Sequence, residues 1–143
     1  MGSVILAEHA KSAEEIMTEN EIGQIVISRA IRLHRDQGPG LLESVYEILL
    51  ADELQRHGLI VEQQAPVPFE YNERRFEPGF RADILVEIKV ILELKSVEAV
   101  SSAHKKQLLT YLRLSDLRLG FLLNFGATML KDGITRTVNG LPP

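Results

Sequence analysis

The sequence predicts a single α/β domain, an α+β mixed sheet flanked by helices, and three observations lead there. Apolar residues recur at helical spacing between about residues 20 and 57; period-two and continuous apolar runs then occupy Leu59 to Lys95; a further amphipathic stretch precedes one last apolar strand. A chain of 143 residues has the size of one hydrophobic core. Its composition, 45% hydrophobic and 25% charged, is that of a globular protein and excludes a disordered or low-complexity chain. Cysteine is absent, which rules out disulfides, thiolate nucleophiles and cysteine-based zinc sites. Any metal must therefore sit on oxygen or imidazole. No apolar run approaches the roughly 20 residues needed to cross a bilayer, and no basic segment followed by an apolar one opens the chain. A cytoplasmic protein without a membrane partner is expected.

Residues 1–17 have weak apolar spacing and read as an N-terminal arm, in part a cloning remnant at Met1-Gly2-Ser3; one domain is expected over 18–143. Thr18 stands three residues before Glu21, a capping-box pattern, and Ile22, Ile25, Val26, Arg29, Ala30 and Leu33 follow at helical spacing to about residue 36. Gly38-Pro39-Gly40 interrupts the pattern, and Leu42, Val45, Tyr46, Leu49 and Leu54 resume it until Gly58. From Leu59 the period falls to two, with Pro66 and Pro68 confining this strand to an edge or a bend. A turn at Asn72-Glu73-Arg74 leads to a strand in which Phe80, Ala82, Ile84 and Val86 alternate with Arg81, Asp83, Leu85 and Glu87. A turn near Ile88-Lys89 precedes the buried run Val90 to Lys95. Ser101 or Ser102 caps a helix bearing Leu108, Leu109 and Leu112, Leu119 to Phe125 forms the last core strand, and Leu130 to Val138 is expected to add a hairpin around Asp132-Gly133.

The formal net charge of −4 is unevenly spread. Residues 1–72 carry 5 Lys and Arg against 12 Asp and Glu, whereas residues 73–143 carry 11 against 8. A basic second half permits a phosphate-binding face without demonstrating one.

Residues two apart on a strand share a face, so Glu93 and Lys95 project together from an apolar run. Charges in such a place need each other, a metal or a ligand. If the chain turns at Ile88-Lys89, Asp83 on the preceding strand can approach Glu93. Two adjacent carboxylates call for a cation, and oxygen ligands of this kind suit Mg²⁺ or Mn²⁺. A lysine beside that metal would orient an attacking water, so that Asp, Glu and Lys form a phosphodiester-hydrolysis site. The other reading is structural, with Asp83 paired to Arg81 or Lys95 and no metal. On the third helix Gln107 and Tyr111 are four apart, with His104 a turn before Gln107; on the second, Glu43 and Glu47 share a face. His34 reads as a core or surface histidine.

Gly40-Leu41-Leu42-Glu43-Ser44-Val45-Tyr46, together with Phe80-Arg81-Ala82-Asp83, Glu93-Leu94-Lys95, Gln107 and Tyr111 four apart, and Asn124-Phe125-Gly126, resembles the bacterial GxxExxY family of the PD-(D/E)xK nuclease superfamily. The resemblance covers roughly residues 20 to 138 and rests on the order and spacing of the motifs. It implies a restriction-endonuclease-like core of α-β-β-β-α-β order with an extra N-terminal helix. By position it implies Asp83 and Glu93 as metal carboxylates, the Leu94 backbone carbonyl as a further ligand, Lys95 as the water-orienting base, and Glu43, with Glu47 in reserve, as the helix glutamate completing the metal site. Gln107 and Tyr111 match a helix motif that lies beside the active site in exonuclease-like branches. Ala82 stands where the proline of the superfamily's name would precede the aspartate.

The expected function is a Mg²⁺- or Mn²⁺-dependent phosphodiester hydrolase, a deoxyribonuclease, acting by attack of a metal-activated water on nucleic acid, DNA before RNA. A homodimer is expected, because so small a core needs a second subunit to hold a duplex. The alternative is a non-cutting module that binds nucleic acid or protein on the same fold, for which the acidic first half speaks. A purely structural Glu93–Lys95 ion pair is the third reading.

Overall fold

The computed structural model describes residues 16–142, so the predicted N-terminal arm lies outside the described residues except at its last two positions. Helix α1 (Glu19–Gln37) begins at the anticipated capping box, in which the Glu21 amide donates to Thr18 Oγ1 at 3.2 Å and the Thr18 amide to Glu21 Oε1 at 3.1 Å. It buries Ile22, Val26, Ala30 and His34, one residue per turn, and stops at Gly38, whose φ of 69° lies in the left-handed region. Helix α2 (Glu43–Arg56) buries Tyr46, Leu50, Ala51 and Leu54. The Tyr46 hydroxyl donates to the Gly38 carbonyl and accepts from the Leu41 amide at 3.3 Å, and its ring stacks on Phe125. Tyr46 thus ties the Gly38-Pro39-Gly40 connection to the core. The glycine-to-tyrosine spacing serves the fold here.

Strands β1 (Val61–Tyr71) and β2 (Arg74–Val86) form a long antiparallel hairpin turned by Asn72 and Glu73, both at positive φ. Pro66 and Pro68 sit inside β1, which is tolerated because β1 is an edge strand. Strand β3 (Val90–Lys95) pairs antiparallel with β2 through a turn at Glu87-Ile88. Helix α3 (Ser102–Ser115), capped by the Ser101 hydroxyl, carries the chain back so that β4 (Leu119–Asn124) pairs parallel with β3. The expected terminal hairpin does not form. Leu130–Gly133 is a 3₁₀ turn, and β5 (Ile134–Val138) pairs antiparallel with β4 instead, because the open edge of β4 offers a full ladder that a two-stranded tail could not.

The sheet order is β1-β2-β3-β4-β5, and after α1 the chain follows the predicted α-β-β-β-α-β arrangement with β5 added. The fold is a mixed α/β sheet with one extra helix at its N-terminal side. Ile84, Val86, Leu92, Leu94, Phe121 and Leu123 face α1 and α2; Leu85, Ile91 and Leu122 face α3 through Leu108 and Leu112. Both faces are covered, which is why β3 and β4 read as continuous apolar runs. Among the described residues no helix is long and apolar enough to cross a membrane.

Candidate functional site

The β2–β3 ladder runs only from Val86–Val90 to Ile84–Leu92. Extending that register by one residue sets Asp83 opposite Glu93, where the backbones have parted. Asp83 Oδ2 accepts from the Leu94 amide at 2.8 Å, so a side chain takes the place of the missing backbone partner. In extended backbone the carbonyl of a residue leaves on the same side as its amide. The Leu94 carbonyl therefore points toward the side that Asp83 occupies.

Asp83 is also freed from β1. The β1–β2 ladder omits Gln64–Asp83 between Gln63–Ile84 and Ala65–Ala82, and Gln64 has φ of 48°. Gln64 Nε2 reaches Glu47 Oε1 at 2.6 Å and Asp83 Oδ1 at 3.4 Å, linking the helix glutamate to the strand aspartate. Glu47 accepts a second bond from Gln63 Nε2 at 3.0 Å.

Glu93 shares the α3 side of the sheet with Ile91 and Lys95. Its carboxyl is pushed up to about 8, first by burial and then by the negative charge of Asp83 and a hydrogen bond to it, with Lys95 pulling weakly the other way. Glu93 Oε1 is buried without a hydrogen-bond partner. Neither structural pairing considered for Asp83 forms, since Arg81 donates to the Gln64 carbonyl at 3.0 Å and Lys95 makes no direct ion pair among the described residues. The reading of Glu93 and Lys95 as a buried salt bridge falls for the same reason.

Glu43 stands apart from this pair. Its Oε1 accepts from the Ser96 amide at 3.1 Å, just past the end of β3. Among the described residues no three His, Asp or Glu side chains gather as a metal centre. What the chain offers is two facing carboxylates, one with an orphaned buried oxygen. That donor set fits Mg²⁺ or Mn²⁺, which take one or two carboxylates and fill the remaining positions with water or substrate oxygens.

On α3, Tyr111 stacks on Phe80 with ring centroids 3.9 Å apart, while Gln107, one turn earlier, is exposed. The exit from β3 is held by Asn124, whose Oδ1 accepts from the Val97 and Gly126 amides at 3.1 and 3.0 Å and whose Nδ2 donates to the Val97 carbonyl at 2.9 Å. His34 is buried beneath, with Nε2 3.1 Å from the Phe125 carbonyl oxygen. Gln64 was not singled out as a site residue by sequence, whereas His104 was noted beside Gln107 and Tyr111 on the same helix. A polar Gln63-Gln64 pair just before two prolines was the only sign of the break in the ladder at Gln64.

The family model for the PD-(D/E)XK nuclease superfamily matches residues 20–137, from the second residue of α1 to the penultimate residue of β5. No curated protein and no solved structure matches the chain.

Proposed function

Since this chain belongs to the PD-(D/E)XK nuclease superfamily, we propose that it is a Mg²⁺- or Mn²⁺-dependent phosphodiester hydrolase acting on nucleic acid, DNA before RNA. Within the superfamily the Gly40-x-x-Glu43-x-x-Tyr46 motif supports a reading of the chain as a member of the GxxExxY branch. One observation carries the reading: a half-buried Glu93, one of its oxygens buried and without a partner, faces Asp83 where β2 and β3 part, with Lys95 on the same face and in no ion pair among the described residues. A structural role would not require two carboxylates to be held together without a cation between them.

Asp83 and Glu93 would hold the cation, with the Leu94 carbonyl as a third oxygen. A divalent ion supplies Lewis acidity there, activating water and neutralising charge on the phosphate. Asp83 is fixed for that work by the Leu94 amide, and Gln64 restrains its second oxygen. Lys95 extends from the same strand two residues beyond Glu93, orients the attacking water and offsets the charge that grows on the phosphate oxygens. Glu47 acts through Gln64, and Glu43 sets the β3 exit through Ser96. Gln107 and Tyr111 border the substrate side along α3.

The absence of a three-carboxylate cluster among the described residues favours the second reading, a module that binds nucleic acid or protein without cutting. End-labelled single- and double-stranded DNA and RNA, incubated with Mg²⁺, Mn²⁺ or EDTA, separate the two. Metal-dependent products that vanish in Lys95→Ala and Asp83→Ala, with both variants folded, support the hydrolase. Lys95→Ala activity equal to wild type would sink the mechanism. Salt-sensitive binding that survives EDTA without products would favour the module.

A further inference from the structure

Among the described residues only two buried side-chain nitrogen or oxygen atoms lack a hydrogen-bond partner, Glu93 Oε1 and His104 Nδ1. Leaving such an atom unpaired is costly, and folded proteins retain one chiefly where a ligand or a reaction completes it. The Glu93 oxygen belongs to the site described above. The His104 nitrogen has been given no role.

The position of His104 follows from its neighbour one turn along α3. Leu108 rests on Gly120, since a Cβ built there would meet Leu108 Cδ1 at 3.0 Å and the Ile91 carbonyl oxygen at 3.2 Å. Ile91 pairs with Gly120, and two residues further Glu93 pairs with Leu122. Helix α3 leaves the end of β3 and delivers the chain to the start of β4, so it runs against both strands. One helical turn rises about 5.4 Å and covers roughly one and a half strand residues. That step carries His104 from above Ile91–Gly120 to above Glu93–Leu122. Its backbone is fixed by the Ser101 cap, whose Oγ accepts from the His104 amide at 3.2 Å. The two orphaned atoms thus belong to facing elements, one on the sheet and one on the helix, and are not hydrogen-bonded to each other.

We propose that His104 is a catalytic residue of this site, the acid that protonates the leaving oxygen in the hydrolysis proposed above, on which this inference rests. The water oxygen bonds to phosphorus as the bond from phosphorus to the ester oxygen breaks. That oxygen keeps the bonding pair and takes the proton from His104 Nδ1. The proton lost by the attacking water goes to solvent past Lys95, and solvent restores the proton on the imidazole. An acid on the helix that packs over the sheet face bearing Lys95 fits in-line displacement, in which the attacking and leaving oxygens lie on opposite sides of phosphorus.

The test uses three DNA oligonucleotides of one sequence: unmodified, with sulfur at a single 3′-bridging position, and with sulfur at the corresponding 5′-bridging position. A thiolate leaves without an acid. Full-length wild type, His104→Ala, His104→Gln and Lys95→Ala are compared in Mn²⁺. On the unmodified strand both His104 variants are expected to lose about 10²-fold in kcat with KM nearly unchanged. On the strand whose sulfur is the leaving atom they recover to near wild type, while Lys95→Ala stays inactive on all three. His104→Gln keeps the side-chain size in case the alanine variant unfolds. Oligonucleotide affinity in EDTA is expected to stay at the wild-type value. An equal loss on all three strands, a loss in KM alone, or no loss overturns the acid role while leaving the hydrolase standing. Wild type that cuts none of the strands overturns both.

Discussion

A carboxyl pushed up to about 8 stays largely protonated at neutral pH in the metal-free protein, whereas in the unfolded chain Glu93 titrates near 4.5. Between those values the folded state holds a proton that the unfolded state has released. The stability contributed by this group is therefore full below about 4.5 and is lost as pH rises through about 8. Glu93→Gln keeps the shape and removes the titration. In EDTA, the melting temperature of wild type is expected to fall more than that of Glu93→Gln between about pH 6 and about pH 9. Equal falls in the two proteins would show that another group carries the dependence. The identity of this residue was legible in sequence because a strand has period two: Glu93 and Lys95 had to share a face, and a charge in an apolar run is conspicuous. Gln64 was not legible. Its importance depends on a positive φ in a strand, which no composition rule assigns to glutamine. The His104 side chain was ambiguous for a different reason, since helical spacing alone places it beside Gln107 without showing which of the two turns inward.

Elements with their own punctuation were the most readable. The Thr18 capping box, the Gly38 stop and the Ser101 cap each satisfy backbone groups locally, so the sequence around them suffices to mark the helix ends. The tail was misread because its pairing is decided at long range, by the free edge of β4 rather than by the turn-forming residues Asp132-Gly133. Between these extremes lies the β3 exit, where Asn124 and Gly126 clamp Val97. A Cβ on Gly126 would stand 2.7 Å from the Val97 nitrogen and closer still to its carbonyl oxygen, both backbone atoms that cannot swing away. Gly126→Ala must therefore push the segment that follows Lys95 away from β4. Overpacking of this sort costs about 1–3 kcal/mol, to be read as a lower denaturant midpoint with an unchanged slope. Cleavage should drop further than the stability loss explains, because Lys95 stands two residues before the displaced backbone. Stability equal to wild type would mean that the exit is free to move and that its position does not set the lysine.

At the scale of the whole molecule, the pairing of β2 with β3 brings Asp83 and Glu93 to face each other at a cost in mutual repulsion. A cation that bridges them binds the folded state and not the unfolded chain, so it must raise the stability of the entire domain. At a hundredfold excess over the dissociation constant the gain is about 2.7 kcal/mol. Thermal melts with increasing Mg²⁺ or Mn²⁺ are expected to show this rise in wild type and to lose it in both Asp83→Asn and Glu93→Gln. Proton linkage adds a second signature. Because the ion must displace the proton on Glu93, its apparent affinity should strengthen about tenfold per pH unit up to about 8 and level off above that. Adventitious binding at exposed carboxylates would show no such break, since those groups are already ionised throughout this range. A melting temperature indifferent to millimolar Mg²⁺ and Mn²⁺ at pH above 8 would mean that the carboxylate pair does not hold a cation. The chemistry built on it would then give way to the non-cutting module.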